Sequence, residues 1–176
     1  LAEHARNSDQ ETIRDVWVAD SFRGFPPPEE EVVVDAWWDG DVTSNNADLA
    51  VAGGVGAVRR TFAGYELLAP NVRFAVGFFN DTLPAVAEAL AREGKRLAVL
   101  RLDGDLYSST MDALVNLYGA LSVGGFVIVD DWNIQSCRQA VYDFRERHGI
   151  AARLEFYDPF LVSWRKRREV AVIHKD

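Results

Sequence analysis

Three short apolar runs in this sequence each end in aspartate. They are Val16–Ala19 before Asp20, Leu97–Leu102 before Asp103, and Phe126–Val129 before Asp130 and Asp131. If the last two runs are neighbouring parallel strands, their ends lie roughly 5 Å apart and the carboxylates meet at one edge of a sheet. Carboxylates at that range repel one another unless a cation neutralises them. Oxygen ligands without a nearby His or Cys favour Mg²⁺ or Mn²⁺ over zinc, so Asp103, Asp130 and Asp131 are predicted to bind a divalent cation.

A single aspartate after a strand also has a simpler interpretation. Its carboxylate often accepts a backbone hydrogen bond in the following turn or at the start of a helix. We favour that interpretation for Asp105 and Asp112 taken alone. The combination of Asp103 with the later aspartate pair favours the metal site instead.

Asp20 has two interpretations that the spacing leaves open. An acidic residue at the end of the second strand of a Rossmann-like sheet commonly binds the ribose hydroxyls of a nucleoside. A turn aspartate within Asp20–Gly24 fits the same residues equally well.

The elements that position these aspartates are predicted from hydrophobic periodicity. Continuous apolar strands that alternate with amphipathic helices indicate an α/β fold with a doubly wound, mainly parallel sheet. A further strand is expected at Val72–Val76, and helices at about Leu49–Phe62, Pro84–Arg92, Ser109–Leu121 and Gln135–Arg147. Pro84 is read as a helix start, and Ser109 with Asp112 resembles a capping box. Runs at Leu154–Tyr157, Leu161–Trp164 and Val170–Ile173 predict an antiparallel C-terminal edge.

Composition excludes several classes of protein. The 176 residues carry a formal charge of −8, which argues against binding to a nucleic-acid backbone, and the length suits one domain. The single cysteine, Cys137, excludes an intramolecular disulfide and a multi-cysteine zinc site, and we expect it to be buried in a helix. No apolar run approaches the roughly 20 residues of a membrane span, and no secretory signal is visible. We therefore expect a cytoplasmic protein.

Several motifs in order resemble one known family. They are Asp20–Pro26 (DSFRGFP), Gly77–Pro84 (GFFNDTLP), Leu100–Thr110 (LRLDGDLYSST), Gly124–Trp132 (GGFVIVDDW) and Cys137–Val141 (CRQAV). Together they resemble the macrocin O-methyltransferase (TylF-type) family, which methylates sugar hydroxyls on macrolides and aminocoumarins. The resemblance covers the chain from Val16 to about Ile150.

The resemblance implies a class I methyltransferase fold, S-adenosylmethionine as methyl donor, and usually Mg²⁺. It assigns Asp20 and Ser21 to the donor's ribose, Gly77, Phe78 and Phe79 to its adenine, and Asp103, Asp130 and Asp131 to the metal. Asp103 is our candidate for the catalytic base. A variable lid over a glycosylated small-molecule acceptor would correspond to about residues 29–62, and relatives often form dimers, so a homodimer is an option.

One feature of the family has no counterpart here. The glycine-rich loop after the first strand, which cradles the methionine part of the donor, does not occur before Asp20; Gly53, Gly54 and Gly56 follow the second strand of the family fold and do not replace it. We therefore expect residues 1–176 to form a single methyltransferase domain that is incomplete at its N-terminus. The first strand, absent from it, would lie between the strands that end in Asp20 and Asp103.

Two other functions are compatible with parts of the sequence. A truncated methyltransferase domain could act as a non-catalytic binding partner. A haloacid-dehalogenase-like phosphatase would use Asp103, Asp105 and the later aspartate pair, but it requires a lysine that is absent between Gly104 and Val129. No residue pattern in the sequence identifies the acceptor or the hydroxyl that is methylated.

Overall fold

The computed structural model describes residues 13–25, 52–157 and 160–167. The strands are β1 (Val16–Asp20), β2 (Val72–Val76), β3 (Leu97–Leu102), β4 (Leu121–Val129), β5 (Glu155–Phe156) and β6 (Val162–Arg165). The helices are α1 (Gly54–Gly64), α2 (Phe79–Arg92), α3 (Tyr107–Leu117) and α4 (Gln135–Arg147). Strands and helices alternate along most of the chain, as predicted.

The strands form two hydrogen-bonded groups. β1 and β2 are parallel, with Asp20 opposite Val76 at their carboxyl ends. The second group has the order β3-β4-β6-β5, in which β3 and β4 are parallel and the last two strands run antiparallel to their neighbours. The predicted antiparallel C-terminal edge is confirmed, whereas Val170–Ile173 lies outside the described residues.

The two strand groups meet through a helix and not through a strand. Within the described residues β1 pairs only with β2, and β3 pairs only with β4. Helix α2 contacts both β1 and β2 and packs against α3, which itself packs on β3. The missing first strand is predicted to lie between β1 and β3, and none of the described strands occupies that position.

One face of the larger sheet forms the main core with three helices. Leu100, Val127 and Val129 alternate along β3 and β4 on this face and are almost completely buried. The buried residues of the helices that cover it are Leu83, Val86 and Leu90 of α2, Ala113, Leu114 and Leu117 of α3, and Cys137, Val141 and Phe144 of α4. Complete burial of each large aliphatic side chain contributes about 1.5–3 kcal/mol, so this face supplies most of the stability that positions the strand ends.

Among the described residues, helices cover both faces of the smaller group but only one face of the larger one. Ala75 of β2 faces the main core, while Phe74 faces α1, where its ring lies 5.9 Å from that of Phe62. On the larger sheet, Val99 and Arg101 lie on the face opposite the core, and both are exposed in the described structure. The helices on both faces of β1 and β2 give this part of the sheet the predicted doubly wound arrangement.

The structure corrects the predicted start of three helices. Helix α1 begins at Gly54 and not at about Leu49, because residues 52 and 53 form a turn. Helix α2 begins at Phe79, so Pro84 lies inside it and not at its start. Helix α3 begins at Tyr107 after Leu106, without a side-chain cap, so the predicted capping box of Ser109 and Asp112 is wrong. Leu83 in the second turn of α2 and Leu106 just before α3 are both buried, so each start lies against the core.

The chain between α3 and β4 also differs from prediction. Helix α3 ends at Leu117 and not at Leu121, because Leu121 is the first residue of β4 and is completely buried there. Gly124 and Gly125 lie within β4. A Cβ at Gly125 would lie 2.8 Å from the carbonyl oxygen of Ala98, so β3 approaches the backbone there too closely for a side chain.

Helix α4 and its cysteine agree with the sequence analysis. The helix covers Gln135–Arg147 as predicted, and the Cys137 side chain is completely buried. No helix in the described part of the chain combines the length and apolar character needed to cross a membrane.

Candidate active site

The carboxyl ends of β3 and β4 bring two of the predicted metal ligands side by side. Leu102 pairs with Val129, and the amide of Asp130 donates to the carbonyl oxygen of Leu102 over 3.0 Å. Asp103 and Asp130 are therefore the first residues beyond two adjacent strands.

The guanidinium group of Arg101 bridges these two carboxylates. Its Nη1 donates to Oδ2 of Asp103 over 2.6 Å, and its Nη2 donates to Oδ2 of Asp130. All three side chains are partly open to solvent, with 53% of Arg101, 49% of Asp103 and 36% of Asp130 exposed. The positive charge of Arg101 thus offsets one of the two negative charges at this part of the edge.

Asp105 and Asp131 form a second acidic pair beside the first. The amide of Asp105 donates to Oδ2 of Asp131 over 3.1 Å, and Asp105 has a positive φ of 58°. Ser136, at the start of α4, donates its hydroxyl to the carbonyl oxygen of Asp105 over 2.9 Å. Burial and the neighbouring Asp131 carboxylate raise the pKa of Asp105 to about 7, and burial also raises the pKa of Asp131. The folded structure therefore disfavours simultaneous ionisation of Asp105 and Asp131.

The donor set suits a hard divalent cation, although the ligands do not converge. Four carboxylates lie at one edge without a histidine or cysteine thiol aimed among them, which is the chemistry of Mg²⁺ or Mn²⁺ sites. In the described parts of the chain no three acidic, His or Cys side chains are arranged to hold a metal ion. The reason is visible in the contacts: Asp103 and Asp130 face Arg101, whereas Asp131 faces the amide of Asp105.

The residues predicted to bind the donor lie at the ends of β1 and β2. The amide of Gly77 donates to the carbonyl oxygen of Asp20 over 3.0 Å, which holds the two strand ends together. Oδ1 of Asp20 accepts the amide of Phe22 over 2.5 Å, so the turn interpretation of Asp20 is observed. The side chain remains exposed at the edge and retains its second oxygen, so a role toward a ribose is compatible with the turn.

Ser21 is buried inside the same turn. Its hydroxyl donates to the carbonyl oxygen of Gly24 over 2.6 Å and accepts the amide of Arg23 over 3.1 Å. These contacts shape the turn after β1, so any contribution of Ser21 to donor binding acts through the position of Asp20.

Phe79 connects the two halves of the edge. It is the first residue of α2, directly after Gly77 and Phe78. A Cβ at Gly104 would lie 3.3 Å from Cε2 of Phe79, so the ring packs closely against the backbone next to Asp103. The predicted donor residues and the acidic edge are therefore parts of one continuous surface at the carboxyl ends of β1 to β4.

Two residues of this surface have no role in the methyltransferase prediction. Asp105 was interpreted as a turn or capping residue, and Arg101 received no role. The Asp-Gly-Asp spacing is the local signal for Asp105. No local sequence signal marks Arg101, because its contact with Asp130 depends on how β3 pairs with β4. Residues 26–51, which include most of the predicted lid, lie outside the described residues; the rest of the lid includes the start of α1.

Comparison with known proteins gives matches over most of this chain. A family model described as macrocin-O-methyltransferase (TylF) matches residues 3–166. Mycinamicin III 3''-O-methyltransferase of Micromonospora griseorubida is 43% identical over 154 residues, which are 87% of this chain and 58% of that protein. The 8-demethyl-8-(2,3-dimethoxy-alpha-L-rhamnosyl)-tetracenomycin-C 4'-O-methyltransferase of Streptomyces olivaceus is 46% identical over 156 residues, or 88% and 56% of the two chains. This chain thus spans somewhat more than half the length of these curated relatives.

Solved structures agree with the fold. The O-methyltransferase NovP superposes with a TM-score of 0.78 at 43% identity, over 89% of this chain and 61% of that one. The calicheamicin methyltransferase CalS11 superposes with a TM-score of 0.69 at 21% identity, over 86% of this chain and 60% of that one. The predicted Rossmann-like class I methyltransferase fold is confirmed.

Proposed function

Because the chain belongs to the macrocin O-methyltransferase (TylF) family, we propose that it is an S-adenosylmethionine-dependent, Mg²⁺-dependent O-methyltransferase. The proposed acceptor is a sugar hydroxyl of a glycosylated secondary metabolite such as a macrolide. The observation that supports this most directly is the continuous edge from Asp20 through Phe79 to the acidic pairs, because a methyl donor and an acidic activating site must adjoin. In a whole protein longer than this chain the same edge would be one wall of the site.

The donor end of the site is proposed to consist of Asp20, Gly77, Phe78 and Phe79. In this proposal the Asp20 carboxylate accepts hydrogen bonds from two vicinal hydroxyls, and the backbone of Gly77 lies beside it. The rings of Phe78 and Phe79 offer apolar surface for a purine. S-adenosylmethionine, when bound, supplies an electrophilic methyl group on sulfur.

The acidic end is proposed to activate the acceptor. Asp103, Asp130 and Asp131 would hold the divalent cation, whose Lewis acidity lowers the pKa of a hydroxyl. Asp103 is our candidate for the base that takes the hydroxyl proton, since it is half exposed and directly precedes Gly104, against which Phe79 packs. Alignment of hydroxyl and methyl group by the surrounding edge would provide much of the rate.

The acceptor class is inferred from the printed names of the relatives. Those proteins act on mycinamicin III, on a rhamnosylated tetracenomycin and, in Streptomyces niveus, on demethyldecarbamoylnovobiocin. We propose that this chain also acts on a glycosylated small molecule. We further propose that the protein is cytoplasmic and can form a homodimer.

Donor binding is tested by calorimetry with S-adenosylmethionine on protein expressed from its whole reading frame. Asp20→Asn keeps an oxygen that can accept the Phe22 amide but removes the charge, so we expect at least tenfold weaker binding. Glu88→Gln, on the exposed side of α2, is the matched control for loss of one charge. Equal affinity of Asp20→Asn and the wild type would contradict the assignment of Asp20.

Catalysis is tested by methyl transfer to a panel of desmethyl glycosides, read by mass spectrometry. We expect a product heavier by one methylene unit, lost in EDTA and restored by Mg²⁺. Asp103→Asn is expected to lower kcat by about 10²-fold or more while S-adenosylmethionine still binds. Turnover that persists in EDTA would contradict the proposed metal dependence.

A second candidate is a methyltransferase-like domain that binds without catalysis. The observation that favours it is the absence, among the described strands, of any partner between β1 and β3. Donor binding without transfer to any glycoside, under conditions in which NovP is active, would support this candidate over the first.

A further inference from the structure

Arg101 lies where the cation of the proposed site would have to bind. It occupies the next-to-last position of β3, between the buried residues Leu100 and Leu102, and its side chain projects from the face opposite the core. About half of this side chain is exposed, and its ion pairs in the described structure are with Asp103 and Asp130. The arginine therefore belongs to the site and not to the packing of the sheet.

The two contacts of Arg101 use one oxygen of each carboxylate. Nη1 reaches Oδ2 of Asp103 over 2.6 Å, and Nη2 reaches Oδ2 of Asp130, so one planar group joins the ends of two strands. A fork of this kind restrains both carboxylates, because each N–H holds its acceptor in direction as well as distance.

The same oxygens cannot serve a guanidinium group and a small divalent cation in the same way. A cation bound between these carboxylates would sit at roughly 2–2.5 Å from its oxygen ligands and close to a fixed positive charge. Each carboxylate keeps a second oxygen for the cation, so the competition is electrostatic: the charge of the cation weakens the ion pairs and repels the guanidinium group. The long, half-exposed side chain of Arg101 can turn into solvent without disturbing the core.

We propose that Arg101 is an internal counter-ion that competes with the divalent cation for Asp103 and Asp130. This inference rests on the cation site of the proposed function. In the cation-free state the guanidinium group offsets one of the two negative charges and keeps both carboxylates at the strand ends; in the loaded state it releases them. Arg101 thereby sets the affinity for the cation and is a positioning residue, not a catalytic one.

The test is a Mn²⁺ titration of the full chain, read as the loss of the free Mn²⁺ signal in electron paramagnetic resonance. Arg101→Met keeps the length of the side chain and removes the competing charge, so we expect Mn²⁺ to bind roughly tenfold more tightly. Arg101→Lys keeps the charge but not the fork, and should give an affinity between those of the wild type and Arg101→Met. Circular dichroism confirms that each variant is folded.

Arg165→Met is the matched control. Arg165 is an exposed arginine of β6 that lies over the ring of Phe126, four residues before Asp130 in β4. The variant changes net charge by the same amount but leaves the carboxylate pair intact, so its Mn²⁺ affinity should equal that of the wild type.

The outcomes separate two failures. Unchanged or weaker Mn²⁺ binding by Arg101→Met, with clear binding by the wild type, would overturn the role of Arg101 and leave the cation site standing. An equal gain in Mn²⁺ affinity in Arg101→Met and Arg165→Met would show that only the net charge of the protein matters. That result would also overturn the proposed role of Arg101. If neither the wild type nor Arg101→Met binds Mn²⁺, the cation site itself is wrong, and this inference with it.

Discussion

The backbone amide of Asp105 donates a hydrogen bond to Oδ2 of Asp131 over 3.1 Å. This contact joins the loop after β3 to the end of β4 and places two carboxyl groups against each other in a partly buried position. Burial and the charge of Asp131 raise the pKa of Asp105 to about 7, so near neutral pH the cation-free edge carries less negative charge than its composition indicates.

This pair should make the cation-free protein less stable as the pH rises. A carboxyl whose pKa is higher in the folded state than in the unfolded state favours folding below the unfolded value, and that contribution is lost as the pH passes the folded value of about 7. Asp105→Asn cannot ionise and keeps the amide that donates to Asp131. Between pH 5 and pH 8 we expect the free energy of unfolding to fall by about 1–2 kcal/mol more in the wild type than in Asp105→Asn. This energy is discounted for the partial exposure of Asp105.

Urea unfolding at several pH values in EDTA measures this difference. Glu88→Gln, an exposed carboxyl of α2, serves as the control and should retain the wild-type pH dependence. Parallel pH profiles of Asp105→Asn and the wild type would show that Asp105 is ionised throughout.

Gly77 should not tolerate a side chain. Its φ is 146°, and a Cβ there would lie 2.8 Å from Cγ2 of Thr82. We expect Gly77→Ala to destabilise the protein by about 1–3 kcal/mol and to weaken donor binding, because the strained turn adjoins Asp20. Thermal unfolding and calorimetry with S-adenosylmethionine are the measurements.

A double variant separates the two causes at Gly77. Thr82→Ser removes Cγ2 and keeps a hydroxyl that can donate to the carbonyl oxygen of Phe78. In the Gly77→Ala background it should restore the part of the stability that the clash removes, leaving the backbone strain. Gly119→Ala is the control, since a Cβ there meets no atom within 4 Å, and a loss of stability as large as that of Gly77→Ala would contradict the explanation.

Cys137 should be unreactive in the folded protein. Its side chain is completely buried in α4, and burial raises the pKa of the thiol to about 12, so almost none of it is thiolate at pH 8. We expect an aromatic disulfide reagent to label Cys137 at the rate of unfolding, and within seconds in strong denaturant. Rapid labelling of the native protein would show that α4 opens locally.

Glu93 should stabilise the protein only above acidic pH. Its carboxylate accepts two hydrogen bonds from Arg73, at 2.7 and 3.0 Å, and pairs with Lys95; these contacts lower its pKa to about 2. A depressed pKa gives stability that is present above the unfolded value of about 4.5 and lost as the pH falls toward 2.

Thermal unfolding of Glu93→Gln against the wild type tests this network. The difference in Tm should shrink between pH 5 and pH 2, and it should also shrink in high salt because the groups are at the surface. A difference in Tm that stays constant with pH would show that Glu93 acts through packing and not through its charge.

The strands and the acidic edge could be predicted from sequence because their signals are local. Val72–Val76 and Leu97–Leu102 are apolar runs interrupted by one arginine each, and the structure gives them the predicted bounds. The helix starts could not be predicted in the same way. The residues before α2 and α3, Phe78 and Leu106, make no capping hydrogen bond with their side chains, so no capping residue marks these starts.

The contacts of the acidic edge depend on the register of the sheet. Arg101 reaches Asp130 because it pairs with Ile128 of β4, two positions before that aspartate. The amide of Asp105 reaches Asp131 because its residue adopts a positive φ, a conformation that its type permits but does not impose. The sequence therefore indicates which residues meet at the edge, while their partners follow from strand pairing and loop geometry.

The packing of Phe79 against Gly104 would make the two proposed ligands thermodynamically dependent on each other. The ring belongs to the donor end, and the glycine directly follows Asp103 at the acidic end. If a bound nucleoside shifts this ring, the position of Asp103 and the affinity for the cation change with it. Linkage then requires the cation to alter the affinity for the nucleoside by the same factor, so saturation with one ligand should move the binding curve of the other.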